Sequence, residues 1–351
     1  MRLRVSRHVL RLRRPWQTAR GAIATRELLA VELTGEDGVP GYGEAAPLEP
    51  YDGVSLERAY EALARYETVF ADPDCERMNG AQLIDTCRSI DDLPQALAAI
   101  DVALWDRAGR RTGRPVAGLL TDDPAETVQV NATIAVLDRQ RASEQAQAAV
   151  QAGYECVKLK VGSGDDAGRV AAVRAAIGST PALRLDAGGA WSVPQAVKAI
   201  EALAPAGLEL VEEPTHGLAQ IRDVRERVST RIAIDETAAE PGALGAGVAD
   251  AVCLKIGRCG GISGLLAAAT LVRASGAEPY LASTLDGPLG VAAALHAAAA
   301  LASRGAGRGP IPPCGLATLS VFADLPEPDP LPVRHGRIAL PAGPGLGVRP
   351  L

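Results

Sequence analysis

From residue 128 onward the chain repeats one pattern, a short apolar run followed by an alanine-rich segment, at steps of 20–28 residues. The runs are VQVNATI (128–134), CVKLKVG (156–162), ALRLDAG (182–188), LELVEEP (208–214), RIAIDET (231–237), AVCLKIG (251–257) and EPYLAST (278–284), with a last strand expected near 311–316. Helical segments such as SEQAQAAVQAG and SVPQAVKAIEALAPAG fill the gaps. Strand–helix alternation implies right-handed crossovers and a parallel sheet. Seven or eight such units fit a closed (β/α) barrel better than an open sheet. In a barrel, polar residues at the carboxyl ends of the strands face the functional mouth.

The first part of the chain has a different rhythm. Residues 1–46 alternate apolar and polar positions around a GEDGVPG turn, which predicts antiparallel strands. Helices are expected over 55–70 and 79–90, then from Pro94 to a stop at Gly113. The expected organisation is an α+β capping domain over 1–125, a barrel over 126–320, and a Pro/Gly-rich tail over 321–351 that returns to the capping domain. Six arginines in the first fourteen residues invite a nucleic-acid reading, but Arg2, Arg4, Arg11 and Arg13 alternate with leucine and valine as on a half-solvated strand. The net charge of −6 gives no global attraction for nucleic acid or anionic lipid. No apolar run reaches the length of a membrane span, and the six cysteines have no metal-binding spacing. Neither nucleic acid nor membrane is an expected partner, and a reducing cytoplasm is the expected setting.

Charges converge on the strand ends. Lys158 and Lys160 lie two apart on one strand and so share a face. Asp186, Glu212 and Asp235 end three successive strands, 26 and 23 residues apart. A single such carboxylate would be read as a helix cap or an arginine partner. Three at adjacent-strand spacing repel unless a cation sits among them, and oxygen ligands favour a hard ion, Mg²⁺ with Mn²⁺ as its substitute. Lys160 and Lys255 then flank that ion from the second and sixth strands. An amine whose charged form is disfavoured by neighbouring cations can act as a base, which suits proton removal from carbon next to a substrate carboxylate.

These segments, KLK (158–160), LRLDAGGAW (183–191), VEEP (211–214), IDET (234–237) and LKIGRCGGIS (254–263), resemble the enolase superfamily and its muconate-lactonizing subgroup. RRPWQTARG (13–21), GYGEAAPLE (41–49), AIDVALWDRAGRRTGRPV (99–116) and GPGLGV (343–348) extend the resemblance over nearly the whole chain. It implies a (β/α)₇β barrel with an α+β cap built from both chain ends. It also implies Asp186, Glu212 and Asp235 as Mg²⁺ ligands, Lys160 and Lys255 as the acid/base pair, and Lys158 as a supporting cation. One position departs: the family often has Asn where this chain has Gly188.

Within the subgroup the sequence is most similar to o-succinylbenzoate synthases, through ASTLDGPLG (282–290) and CGLATLSVF (314–322). That likeness implies a dehydration serving menaquinone synthesis. N-acylamino acid racemases and dipeptide epimerases are the alternatives; the latter usually carry an Asp-x-Asp pair on the last strand, and 311–320 has none. Arg20 or Arg26 is expected to meet a distal carboxylate, and Ser283 and Asp286 to meet substrate, with Asp286 a candidate ammonium partner. The expected partner is a small-molecule carboxylate, with assembly into a homo-oligomer possible. Two readings outside the family carry less. The Gly162, Gly164, Gly168 spacing echoes a dinucleotide loop, but Asp165 and Asp166 repel a pyrophosphate. A non-catalytic barrel scaffold has no use for three carboxylates and two lysines.

Overall fold

The computed structural model describes residues 1–18, 21–303, 311–325 and 328–351. The opening alternation forms two long antiparallel strands, β1 (Arg2–Thr18) and β2 (Gly21–Thr34), with β3 (Pro40–Ala45) completing the sheet. Leu3, Leu10 and Leu12 are buried while Arg2, Arg4, Arg11 and Arg13 face solvent, as the alternation requires. Helices Leu56–Ala71, Gly80–Ile90 and Pro94–Thr112 cover this sheet. Their ends follow the side-chain chemistry: Ser55 and Asn79 accept from the first-turn amides, and Gly113 closes the third helix at φ 67°. Leu29, Val31 and Leu33 of β2 pack with Leu63, Phe70, Leu83 and Ile100 in a separate small core.

The expected strand over 128–134 is two strands, β4 (Thr127–Gln129) and β5 (Ala132–Ile134). Between them the chain changes partners. β4 pairs with β13 (Arg337–Ala339) of a hairpin whose other strand is β12 (Val333–Arg334), whereas β5 opens the barrel sheet. That sheet continues in chain order through β6 (Cys156–Lys160), β7 (Ala182–Asp186), β8 (Leu208–Glu212), β9 (Ile232–Ile234), β10 (Ala251–Leu254) and β11 (Glu278–Leu281), all parallel. The expected eighth strand is reduced to two bridges, Val130 with Cys314 and Ala282 with Gly315. Gly315 donates to the Leu281 carbonyl (2.8 Å) and Cys314 to that of Gln129 (2.8 Å), so these two residues close the curl.

Strand alternation divides the side chains. Val157, Leu159, Leu183, Leu185, Val211, Ile232, Ile234 and Val252 belong to the large core with the outer helices. Leu210, Ala233, Cys253, Tyr280 and Ala282 fill the lumen. A register shift between β7 and β8 leaves Glu209 without a partner in the ladder, and its carboxylate takes Arg184 of the lumen at 2.7 and 3.0 Å. The carboxyl end of the lumen is thereby left to charge. The chain's end runs back along earlier elements: Phe322 bridges Leu12, Gly345 bridges Pro115, and Leu346 N donates to Asp106 at 2.7 Å. Among the described residues no helix is long and apolar enough to cross a membrane.

Candidate active site

Parallel register sets the charges in a row. Lys160 on β6 is opposite Asp186 on β7, which is opposite Glu212 on β8. Asp235 and Lys255 each follow the last residue of their strands, β9 and β10. The carboxylates and lysines singled out in the sequence therefore meet at one end of the lumen. Lys158 Nζ lies 2.7 Å from both Asp186 Oδ2 and Glu212 Oε1. Lys160 Nζ is 2.8 Å from the same Asp186 oxygen, and Lys255 Nζ is 2.7 Å from Asp235 Oδ2.

Residues outside the sequence reading complete the row. Tyr280 donates to Glu212 Oε2 and Tyr51 donates to Asp235 Oδ1, both at 2.6 Å. Tyr51 comes from the capping loop, accepts from Arg258 at 2.5 Å and lays its ring 4.0 Å from Lys255 Nζ. Glu213, fully buried with φ 43°, accepts from Asp235 N, Thr237 N and Thr237 Oγ1, and so fixes the turn that presents Asp235. Tyr51 lies on a single helical turn, Glu49–Asp52, too short to show a period, Arg258 lies in a turn, and Tyr280 sits in a short apolar strand. Only the doubled glutamate of VEEP hinted at a second buried acid.

Burial raises the cost of every charge here, and the neighbours decide the outcome. Asp186 is held below the ordinary carboxylate range because Lys158 and Lys160 overcome its burial. Asp235 is likewise lowered, by Lys255 and Arg258 against burial. Glu212 is pushed up, since burial, with Asp186 and Asp235 nearby, outweighs Lys158. Glu236 is pushed up to about 7 by burial and then by Asp235 and Asp186. Lys158 and Lys255 are raised despite burial, by the carboxylates they touch. Lys158 is thereby held as the cation that the resemblance implies, and Lys255, one of the two amines expected to act as a base, is held charged by the Asp235 carboxylate it touches.

The surplus of buried carboxylate suits a divalent cation. The donor atoms of Glu212, Asp235 and Cys253 lie within 4.8 Å of one another. Glu212 and Asp235 bring carboxylate oxygens, the donors a hard ion prefers, while Asp186 of the same row lies outside that group.

A cavity of about 150 Å³ opens over the row. The cap contributes Trp16, Ile23, Leu48, Pro50 and Tyr51, and the barrel Ser283, Thr284 and Leu285. Both Lys160 and Lys255 line it, as does Ser283. Gly188 lines it too; a Cβ there would meet only Asp186 Oδ1, at 3.9 Å, so the missing Asn leaves open space, while the Gly188 amide donates to that oxygen at 3.0 Å. Two expected substrate contacts are corrected. Arg26 is buried away from the cavity and donates to the carbonyls of Ala46, Pro47 and Leu285. Asp286 is 4% exposed, absent from the lining, and faces Arg26. Arg20 lies outside the described residues.

Comparison with known proteins places this geometry. The family model described as Enolase C-terminal domain-like matches residues 141–351, and that of the mandelate racemase / muconate lactonizing enzyme N-terminal domain matches residues 1–121. The L-Ala-D/L-Glu epimerase of Bacillus subtilis (strain 168) is 30% identical over 323 residues, 85% of this chain and 84% of that protein. Muconate cycloisomerase 1 of Rhodococcus opacus is 30% identical over 351 residues, 95% of this chain and 91% of that protein. The crystal structure of a dipeptide epimerase from Enterococcus faecalis V583, complexed with Mg and L-Leu-L-Tyr, superposes with a TM-score of 0.89 at 28% identity, covering 99% of this chain and 98% of that one.

Proposed function

Because the chain belongs to the mandelate racemase and muconate lactonizing branch of the enolase superfamily and is an enzyme of that superfamily, we propose that it racemises or epimerises an N-acylated amino acid by moving the proton next to the carboxylate. The observation that carries this reading is the placement of Lys160 and Lys255. They stand on β6 and just past β10, with the three carboxylate strands between them, and both reach the same cavity. Asp186, Glu212 and Asp235 would hold Mg²⁺, or Mn²⁺ in its place, and the ion when bound supplies Lewis-acid stabilisation of the enolate. Lys160 Nζ accepts the proton from one face of the α-carbon. Lys255, held as an ammonium by Asp235, delivers its own proton to the opposite face, and configuration inverts. The opposite enantiomer runs the same exchange in reverse. Lys158 keeps a fixed positive charge beside Asp186 and Glu212, and the apolar cap residues exclude water.

An N-acyl group is favoured over a free dipeptide amine. The carboxylate expected to meet a substrate ammonium, Asp286, is turned away, and Cys314 and Gly315 occupy the closing position of the barrel; Glu236 is the one carboxylate lining the cavity, among the described residues, beyond Asp186 and Asp235. A second reading, dehydration by an o-succinylbenzoate synthase, draws on Lys255, which is pinned between Asp235 and the Tyr51 ring and suits a cation that never gives up its proton. The test is α-proton exchange of the L and D forms of an N-acylated amino acid in deuterated water with Mg²⁺, beside an assay on the cyclohexadiene precursor of o-succinylbenzoate. Exchange of both enantiomers is expected, with Lys160→Ala and Lys255→Ala each blocking proton removal from a different one. Exchange of a single enantiomer overturns the two-base reading, and turnover that survives chelation removes the metal.

A further inference from the structure

Arg26 is 3% exposed and spends its guanidinium on backbone. Nη2 donates to the Ala46 carbonyl (2.7 Å), Nη1 to that of Pro47 (2.8 Å) and Nε to that of Leu285 (3.2 Å). The first two lie at the root of the capping loop that carries Leu48, Pro50 and Tyr51 into the cavity. That loop is tied internally by Asp52, which accepts from Leu48 N and Val54 N. The third belongs to the barrel loop that carries Ser283, Thr284 and Leu285 to the opposite wall, and Leu285 is held there at φ 57°, a conformation uncommon for a non-glycine residue.

A second tie runs beside the first. Glu44 of β3 accepts from Gly287 N at 2.6 Å, just where the helix Pro288–Leu301 begins. The approach is too close for a side chain: a Cβ on Gly287 would lie 2.4 Å from Glu44 Oε2, and one on Gly290 would lie 2.8 Å from Asp286 Cβ. Arg26, Glu44 and Asp286 thus form a buried charged cluster that joins cap strands to one barrel loop.

We propose that Arg26 is a positioning residue that fastens the capping loop 46–52 to the barrel loop 283–287, so that the two walls of the substrate cavity hold one spacing. Its consequence for turnover rests on the reading of that cavity as the substrate site; its consequence for the loops does not. An arginine suits the task because three N–H vectors of one rigid plane reach three carbonyls at once, which a lysine ammonium cannot reproduce in the same geometry. Hydrogen–deuterium exchange on the full-length Arg26→Lys protein, with Arg26→Met as a second variant, tests the idea without any substrate. Amides in both loops should exchange at least tenfold faster, while those of β6 to β8 keep their wild-type rates. Unchanged protection in either loop overturns the proposal, because the two walls are then held independently. Where Arg26→Met does not fold, Arg26→Lys decides alone. In the N-acyl amino acid exchange assay, Arg26→Lys should raise KM several-fold more than it lowers kcat. A wild-type protein without that activity removes the functional reading and leaves the amide-exchange result to stand or fall by itself.

Discussion

Lys158→Met removes the ammonium that lies 2.7 Å from both Asp186 and Glu212 and keeps a side chain of similar length. Asp186 retains Lys160, but Glu212 is left with the Tyr280 hydroxyl. Deleting one partner of a buried ion pair costs about 3–5 kcal/mol. A second route bounds the same quantity, because the variant can protonate Glu212 instead of burying it charged. From its ordinary value of 4.5, neutralising it at pH 7 costs about 1.36 kcal/mol per unit, or about 3.4 kcal/mol. The expected loss at pH 7 is therefore at most about 3.4 kcal/mol, less the part that Glu212, already pushed up beside Lys158, carries in the wild type. Its sign with pH follows from linkage. A carboxyl whose folded value is raised binds its proton more readily folded than unfolded, so the penalty grows above the unfolded value and shrinks below it. At pH 5 it should fall to about 0.7 kcal/mol. A divalent ion supplies the missing charge, so MgCl₂ should recover more stability in the variant than in the wild type. Urea denaturation at pH 7 and pH 5, with and without MgCl₂, measures all of this. Equal losses at the two pH values, or a loss under about 1 kcal/mol at pH 7, would show that Glu212 does not depend on Lys158.

Four further outcomes are expected. Tyr280→Phe removes the hydroxyl that donates to Glu212 Oε2 and should cost about 1.5–3 kcal/mol in the same denaturation assay; an unchanged midpoint means Glu212 relaxes onto another donor. A thiol reagent on the native protein should modify at most Cys259, since the other five cysteines are buried, and all six once unfolded; rapid loss of two or more native thiols contradicts the packing. His296, buried between Ala117 N and the Leu346 carbonyl, is pushed down to about 4 by burial. The unfolded chain then takes up a proton first, so this residue should cost about 3 kcal/mol as pH falls from 6.5 to 4, a slope that His296→Gln should flatten. Isothermal titration should find that an N-acylated amino acid binds only after Mg²⁺, because without the ion the lysines are taken up by Asp186, Glu212 and Asp235 and leave little positive charge for the substrate carboxylate; tight binding in chelator would contradict that order.

The parts of the fold that repeat were legible in the sequence. Each barrel strand buries both faces, so each stands out as an apolar run, and a charge inside such a run is conspicuous. Lys158, Lys160, Asp186, Glu212, Asp235 and Lys255 were found for that reason, and the structure brings them together. The parts decided by a single distant neighbour were not legible. Nothing in VQVNATI marks where the chain leaves the tail hairpin and joins the barrel, because Val130 is set by Cys314 and Gly336. Glu209 reads as an ordinary alternating position until the register shift turns it toward Arg184. Arg26 sits on a strand where alternation suggests a surface or substrate contact, yet one of its partners lies 259 residues away in a loop with no period.

The division of labour explains why those two classes differ. The barrel fixes charge: its hydrogen-bonded register sets the spacing of Lys160, Asp186 and Glu212, and a slip of one residue would turn all of them out of the lumen. The cap fixes shape and access, through loops whose positions are set by a few side chains, Tyr51 on Asp235, Arg26 on three carbonyls and Glu44 on Gly287. The proposed exchange, which needs both lysines on one substrate, would constrain the first set tightly. The choice of substrate constrains the second set, of which Arg26 and Glu44 touch none of the charged row while Tyr51 touches both Asp235 and Lys255. On the proposed reading the activity class is written in the strands, and the substrate in the segments that Arg26 would hold together.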